Sequence, residues 1–270
     1  MESTFVLAQL HPLPDPEENL GKAKKAMLEA REKYHADLIL FPEMFMSQCD
    51  AGADVREANR WAQAPDGSFV QGMRELAKAF GLWTLFGMRE LPGNLKNEEN
   101  RVYNRTVLLN ERGETVSAYR KTHLYDAFGY RESDFYLRGD QLMQPVETPF
   151  GKIGIFVCYE LRFPEIARKL ALEGAQMLLV PAAWASGERK KEQFQLLAQT
   201  RALENTVYLL ACDQCGGSTA GGSLAVDPLG RILAQAEEEE QLLSVRIDTD
   251  AISEVRKCLP CLEQRRPELY

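Results

Sequence analysis

Long apolar runs and an excess of positive charge are both missing from this sequence of 270 residues. The longest nearly apolar stretch, residues 177–185, falls well short of the roughly 20 residues that a membrane-spanning helix needs. The 32 Lys and Arg residues against 40 Asp and Glu give a net charge of −8, which argues against nucleic-acid binding through a broad basic surface. No basic region followed by an apolar segment opens the sequence, so we expect no secretory signal and predict a cytoplasmic location.

Linkers, repeats and low-complexity tracts are also absent, and we therefore predict one domain that spans residues 1–270. Hydrophobic residues make up 45% of the chain and charged residues 27%, which is ordinary for a soluble globular protein. Strand-like runs alternate with stretches of helical periodicity from end to end, beginning with a strand at 4–9 and an amphipathic helix at about 20–34. This alternation predicts an α/β fold with the helices outside.

The six cysteines include two Cys-x-x-Cys pairs, Cys212 with Cys215 and Cys258 with Cys261, which superficially resemble a four-thiolate zinc site. The pairs are separated by residues 216–257, a much longer spacing than small zinc modules have. We therefore predict reduced cysteines and no metal. A zinc-dependent, non-enzymatic protein stays open as an alternative.

Cys158 stands where the apolar run 153–157 gives way to a charged segment that contains Pro164. The run has the composition of a buried strand, and Pro164 marks the opening of the next helix. Open α/β sheets present reactive groups at this place, at the carboxyl end of a strand and just before a helix. A free cysteine is nevertheless more often an inert core residue.

Glu43 and Lys121 also follow strand-like runs, at 37–41 and 115–119. If the relevant strands run parallel in one sheet, their carboxyl ends converge on one rim, and both side chains can meet Cys158. A thiol with a pKa of about 8.5 needs a base or a nearby cation to react at neutral pH. Glu43 can take the thiol proton, and Lys121 can stabilise the thiolate and an oxyanion. The trio therefore suits acyl transfer through a thioester.

Three segments resemble, in order and content, the catalytic segments of the nitrilase, or carbon–nitrogen hydrolase, superfamily. They are 41–44 (Phe-Pro-Glu-Met), 119–124 (Tyr-Arg-Lys-Thr-His-Leu) and 158–165 (Cys-Tyr-Glu-Leu-Arg-Phe-Pro-Glu). The Arg-Phe-Pro continuation favours the amidase branch, similar to ω-amidases, over true nitrilases. Two departures are Glu160, where the family often has Asp, and the segment 126–131, which matches no subgroup of defined substrate.

The resemblance implies a four-layer αββα sandwich of the carbon–nitrogen hydrolase type, without a cofactor. It implies that Glu43 is the base, Lys121 the oxyanion stabiliser and Cys158 the nucleophile. It also implies association into a homodimer or higher homo-oligomer, in which the C-terminal segment, about 248–270, takes part.

Supporting roles also follow from the resemblance. Glu132 is expected to hold Lys121 and the substrate, with an exposed loop charge as the alternative. The backbone N–H of Tyr159 is expected to be a second oxyanion donor. His123 is expected to support the site from outside the trio. A rival interpretation pairs His123 with Cys158, because a continuing strand would place it on the same face as Lys121.

Substrate contacts are predicted at Arg162, Ala183 and Trp184. Arg162 can bind a substrate carboxylate through a bidentate fork, or it can pair with Glu160 or Glu165. The charged stretch 185–191 leaves open whether this loop closes over the pocket.

We therefore predict a thiol hydrolase of a small linear amide that releases ammonia and a carboxylic acid. The partners expected are an amide substrate and water, with no nucleic acid and no membrane. The alternative is an N-carbamoyl amine or amino-acid hydrolase with the same Glu-Lys-Cys triad. A nitrilase is a less favoured reading.

Overall fold

The computed structural model describes residues 2–49, 52–93 and 100–269. Strands and helices alternate along this part of the chain, as the sequence predicts. The helices are α1 (Pro16–Glu32), α2 (Val55–Ala58), α3 (Ser68–Phe80), α4 (Pro164–Leu172), α5 (Lys190–Asn205) and α6 (Asp250–Cys258). The strands are β1 (Glu2–Gln9), β2 (Leu38–Leu40), β3 (Trp83–Glu90), β4 (Val102–Leu109), β5 (Thr115–Arg120), β6 (Asp126–Ala127), β7 (Tyr130–Arg131), β8 (Tyr136–Leu137), β9 (Val146–Thr148), β10 (Gly151–Ile155), β11 (Met177–Ala182), β12 (Tyr208–Asp213), β13 (Leu224–Val226), β14 (Ile232–Gln235) and β15 (Gln241–Asp248).

The strands form two large sheets and one small hairpin. The first sheet has the order β15-β1-β2-β3-β4-β5, with β8 beside β4, and the second has the order β14-β13-β12-β11-β10-β9. In each sheet three neighbouring strands run parallel, β1-β2-β3 in the first and β10-β11-β12 in the second. An antiparallel pair then follows in each, β4-β5 and β13-β14. The chain therefore repeats one topology twice, although its sequence shows no repeat.

The layers follow from which strand residues face which neighbours. On β1, Val6 and Ala8 pack in a cluster with residues of α1 and α3, including Met27 and Met73. The alternate residues Phe5 and Leu7 belong to a second cluster, which includes residues of the second sheet and of α4 and α5. Both faces of β1 are therefore buried, which explains its continuous apolar run. This arrangement confirms the predicted four-layer αββα sandwich.

Local sequence signals mark two of the helix ends. Asp15 caps α1 by accepting the backbone N–H of Glu17 at 2.8 Å, and Pro16 occupies the first helical position. Helix α3 ends at Gly81, whose φ of +63° is the left-handed conformation that glycine adopts without strain. No helix in the described ranges is both long and apolar enough to cross a membrane.

Candidate active site

Glu43 lies in a turn just beyond β2, and neighbouring strands fix its backbone. The carbonyl of Glu43 accepts a hydrogen bond from the Gln214 side chain at 2.7 Å. The turn packs so closely on β3 that a Cβ at Gly87 would lie 2.3 Å from the backbone nitrogen of Met44. Glycine at 87 is therefore required for the turn that carries Glu43 to lie against the sheet.

Lys121 follows directly after β5, and its ammonium group lies between two carboxylates. Its Nζ is 2.9 Å from Oε1 of Glu43 and 3.0 and 2.9 Å from the two oxygens of Glu132. All three side chains are buried, and Glu132 is only 4% exposed. Glu132 is therefore part of the site, and the alternative of an exposed loop charge is wrong.

Neutral donors complete the hydrogen bonding of the two carboxylates. The Asn104 side chain donates to Oε1 of Glu43 at 2.6 Å, and the backbone N–H of Ala183 donates to Oε2 at 2.8 Å. The backbone N–H of Tyr125 donates to Oε2 of Glu132 at 2.6 Å. Because a buried carboxylate is stable only with several donors, this set keeps Glu43 and Glu132 in fixed positions.

The charges of this cluster influence one another strongly. Burial alone would lower the pKa of the Lys121 ammonium, but Glu132 and Glu43 hold it well above its usual value. Burial raises the pKa of Glu132, and the nearby Glu43 carboxylate adds to that rise. Lys121 is therefore a permanent cation at neutral pH.

Cys158 lies three residues beyond β10 and begins a short 3-10 helix, Cys158–Arg162. Its φ of +49° is in the left-handed region, which is unusual for a residue with a side chain. Burial raises the pKa of the Cys158 thiol, Glu43 raises it further, and Lys121 acts in the opposite direction. The thiol is therefore protonated at rest, within electrostatic reach of both a base and a cation.

Glu160 ties the Cys158 segment to the Lys121 segment. Its Oε2 accepts the backbone N–H of Val157 at 2.7 Å, next to the thiol. Its Oε1 accepts hydrogen bonds from the Tyr119 hydroxyl at 2.6 Å and from the Thr122 backbone and hydroxyl at 2.9 and 2.7 Å. Burial would raise the pKa of Glu160, but the His123 side chain and these hydrogen bonds lower it below its usual value. Glu160 is thus a buried anion that bridges two sheets.

A small pocket opens onto Cys158. The rings of Tyr125, Tyr159 and Trp184 form much of its wall, together with Ala183. Tyr125 and Tyr159 contact each other with ring centroids 5.0 Å apart. The predicted substrate-contact residues Arg162, Ala183 and Trp184 therefore all line the space beside the thiol.

The contacts of Arg162 and His123 differ from the alternatives that the sequence left open. Arg162 donates to the Gln193 side chain at 2.8 Å and lies 4.8 Å from the Trp184 ring, so the predicted alternative pairing with Glu160 or Glu165 is wrong. His123 does not continue the strand of Lys121, because β5 ends at Arg120. Its ring instead lies tilted against the Phe163 ring, with centroids 4.2 Å apart, and hydrogen-bonds the Thr122 hydroxyl at 2.9 Å.

The structure brings Glu43, Lys121, Glu132 and Cys158 together, but not at the rim of one sheet. Glu43 and Lys121 follow strands of the first sheet, whereas Cys158 follows a strand of the second. The expectation of a single rim is therefore wrong, and the site lies where two sheets face each other. The sequence analysis does not identify Asn104 and Tyr125, which donate to the two carboxylates. It also does not identify Asp213, which accepts the backbone N–H of Trp184 at 2.7 Å, or Lys190, which lines the pocket.

The two Cys-x-x-Cys pairs do not form a joint site. The Cys212 thiol donates to the carbonyl of Leu40 at 3.2 Å in the core, while Cys261 lies against the end of α5 at Glu204. Within the described ranges, no three His, Cys, Asp or Glu side chains form a group that could hold a metal ion. The four cysteines therefore lend no support to the zinc alternative.

Comparison with known proteins gives consistent relatives. The sequence profile of the carbon-nitrogen hydrolase family matches residues 6–257. Deaminated glutathione amidase of Bos taurus is 33% identical over 274 residues, which cover 98% of this chain and 82% of that protein.

Solved structures resemble the whole fold. Nit3 of Saccharomyces cerevisiae, a member of branch 10 of the nitrilase superfamily, is 29% identical with a TM-score of 0.85, over 98% of this chain and 97% of that one. An amidase from Nesterenkonia sp., solved as a variant with the acetamide moiety of fluoroacetamide added covalently at its active-site cysteine, is 27% identical with a TM-score of 0.83. That match covers 99% of this chain and 95% of that one.

Proposed function

The chain belongs to the carbon–nitrogen hydrolase family and is a hydrolase of carbon–nitrogen bonds other than peptide bonds, and we propose that it cleaves a small linear amide by way of a thioester on Cys158. One observation carries this proposal. A buried thiol opens into a small pocket and lies within electrostatic reach of a buried carboxylate–ammonium pair. Aromatic side chains line the space beside the thiol closely, which favours a small substrate.

In the first step, Glu43 accepts the thiol proton as Sγ of Cys158 attacks the amide carbon. A base is needed at this point because burial keeps the thiol protonated. The carbonyl oxygen becomes an oxyanion, which the Lys121 ammonium and the backbone N–H of Tyr159 stabilise. Tyr159 is suited to this role because the first amides of a 3-10 helix have no acceptor within the helix.

In the second step, the proton on Glu43 passes to the leaving nitrogen, the carbon–nitrogen bond breaks and ammonia departs. A thioester between the acyl group and Cys158 remains. Water then attacks the thioester as Glu43 accepts its proton, and the carboxylic acid and free thiol are released. The balance is one amide and one water consumed for one acid and one ammonia.

The surrounding residues serve as supports in this proposal. Glu132 holds Lys121 in place and balances its charge, as the two short contacts to Nζ favour. His123 supports the Lys121 segment from outside through Thr122. Arg162, Ala183 and Trp184 contact the substrate, since all three line the pocket.

The relatives favour amide chemistry over nitrile chemistry. The Bos taurus relative is named an amidase, and the Nesterenkonia protein is an amidase whose active-site cysteine carries the acetamide moiety of fluoroacetamide. We also propose that the protein is cytoplasmic and forms homo-oligomers through the segment 248–270. Leu259 and Leu269 in that segment are exposed apolar residues that a second subunit would cover.

Ammonia release from a panel of a monoamide, an N-carbamoyl amino acid and a nitrile tests the proposed function. We expect the monoamide to give the highest kcat/KM, whereas a preference for the N-carbamoyl compound would favour the alternative.

Cys158→Ala should lower turnover by at least about 10⁴-fold, because the covalent route is lost. Cys212→Ala, which removes another buried thiol, should keep turnover. An intact-mass adduct on the wild type that is absent from Cys158→Ala completes the test, and full activity of Cys158→Ala would refute the thioester.

A further inference from the structure

Two consecutive backbone N–H groups, just beyond β11, each bind a buried carboxyl group. The N–H of Ala183 donates to Oε2 of Glu43 at 2.8 Å. The N–H of Trp184 donates to Oδ1 of Asp213 at 2.7 Å. Glu43 follows a strand of the first sheet, and Asp213 ends a strand of the second. The position of the donor on Glu43 therefore depends on what holds the next N–H group of the same segment, which is Asp213.

Asp213 is completely buried, and its carboxyl group is costly to the fold. Burial raises the pKa of this carboxyl well above its usual value, and the nearby Glu43 raises it further. A buried carboxyl costs more stability than an apolar side chain of similar size, whereas a neutral acceptor is enough to bind one N–H group. A residue that breaks the rules of core composition in this way is typical of functional sites.

Gln214, the next residue, holds the same region through its own hydrogen bonds. Its side-chain amide donates to the carbonyl of Glu43 at 2.7 Å, and its backbone N–H donates to the carbonyl of Ala182 at 3.0 Å. The Ala182 carbonyl also accepts the backbone N–H of Glu43 at 3.3 Å. Residues 213–214 therefore hold both the backbone of Glu43 and the segment whose N–H group binds its carboxylate.

We propose that Asp213 is a positioning residue for the base of the reaction. By accepting the Trp184 N–H, it keeps the Ala183 N–H on Glu43 and the Trp184 ring in the pocket wall. Asp213 is not among the described residues that line the pocket, so it acts through this segment and not on the substrate. The role needs an acceptor oxygen and no negative charge. It rests on the proposed function for the identification of Glu43 as the base.

The kinetic test removes the acceptor and then restores it without the charge. In Asp213→Ala the kcat for the monoamide should fall by about 10- to 100-fold, because a small displacement of a catalytic group is costly, and KM should change less. Asp213→Leu, which fills the space and still lacks an acceptor, should lose kcat as well. Asp213→Asn should retain most of the kcat. Circular dichroism checks that each variant is folded.

Cys212→Ala is the matched control. Cys212 is the preceding residue and is equally buried, but its thiol donates to the Leu40 carbonyl and not to the segment beyond β11. Its kcat should match wild type. A loss of kcat in Cys212→Ala as large as in Asp213→Ala would reveal a general packing defect and overturn the proposal. An equal loss in Asp213→Asn and Asp213→Ala would also overturn it, as would wild-type kcat in folded Asp213→Ala or Asp213→Leu.

A second measurement separates this inference from the proposed function. Alkylation of Cys158 by iodoacetamide, located by peptide mass mapping, needs the thiol and its base but no turnover of an amide. Its rate should fall in Asp213→Ala and Asp213→Leu and recover in Asp213→Asn. This pattern in a protein that hydrolyses no amide would support the positioning role and reject the proposed function. Equal alkylation rates in all variants would overturn the positioning role.

Discussion

Cys158 and Cys212 are two buried thiols in the same half of the molecule, and only one is set up for chemistry. Strands β10, β11 and β12 are parallel neighbours, so the two cysteines lie at the carboxyl ends of strands separated by one other strand. Burial raises the pKa of both thiols. Cys212 donates to the Leu40 carbonyl inside the core, whereas Cys158 faces a pocket.

The difference shows that burial at a strand end does not by itself create a nucleophile. Cys158 has a cation, Lys121, acting on its charge, while the principal charged neighbour of Cys212 is Asp213, which raises the thiol pKa further. Cys158 also has a left-handed backbone that turns it out of the strand direction. A thiolate is thus accessible only where a base and a cation meet the thiol.

Removing the base should make Cys158 behave more like Cys212. In Glu43→Gln the side chain keeps its size but cannot accept a proton, so kcat should fall by about 10²- to 10⁴-fold. Ammonia release gives kcat, and the rate of alkylation by iodoacetamide reports the reactivity of the thiol. Glu90→Gln is the control, because Glu90 is equally buried in the first sheet but pairs with Arg105 and Arg120. A Glu43→Gln enzyme with wild-type kcat would place the base elsewhere.

Disrupting the Glu160 hydrogen bonds, which connect the Cys158 segment to the Lys121 segment, should have an intermediate effect on activity. All groups that contact Glu160 donate hydrogen bonds, so the amide of Glu160→Gln would place a donor against a donor. We expect a loss of about 1–3 kcal/mol in unfolding free energy, together with a lower kcat. Urea unfolding and ammonia release measure the two effects. Glu165→Gln, on the exposed side of α4, should match wild type in both. Equal stability of Glu160→Gln and Glu165→Gln would contradict this connecting role of Glu160.

The charge of Asp213, which is next to Cys212 in the chain, should affect pH-dependent stability more than activity. Burial raises the pKa of its carboxyl well above the usual value, and Glu43 raises it further. Above about pH 4 the folded protein therefore holds a proton that the unfolded chain has released, and stability falls as the pH rises toward the folded pKa. Asp213→Asn cannot ionise and still accepts the Trp184 N–H, which Asp213 accepts at 2.7 Å.

Urea midpoints at pH 5 and pH 8 test this expectation. The wild type should lose up to about 1.4 kcal/mol for each pH unit of the affected interval, and Asp213→Asn should lose less. The exposed Asp66→Asn should follow the wild type. Identical midpoint shifts in wild type and Asp213→Asn would show that this carboxyl is ionised in the folded protein.

Periodicity predicts the strands, and it shows that Glu43, Lys121 and Cys158 each follow an apolar run. The sandwich is predicted only through the resemblance to the carbon–nitrogen hydrolase superfamily. Periodicity does not reveal that these residues come from two sheets, since strand order within a sheet is a long-range property. Asn104 escapes notice because it lies inside β4 as an ordinary strand residue. Its side chain matters only because Glu43, far away in the chain, lies 2.6 Å from it.

Lys190 escapes notice for the opposite reason. It stands in a charged stretch, 188–191, where a lysine normally points into solvent. Helix α5 begins at Lys190, and the Phe128 ring, in the hairpin of β6 and β7, lies over it, so one lysine of two neighbours is buried. The sequence shows Glu160 only as a replacement for the Asp that the family often has. Its bridging hydrogen bonds depend on Thr122, which is distant in the chain but close in space.

The doubled topology of the chain has a mechanical consequence. Glu43 and Lys121 follow strands of the first sheet, and Cys158 and Trp184 follow strands of the second. A molecule that contacts all of these residues connects the two sheets across their interface. A molecule that binds this folded arrangement, and not the unfolded chain, stabilises the fold by its binding free energy. Ligand binding at the site and the stability of the two packed sheets are therefore thermodynamically linked.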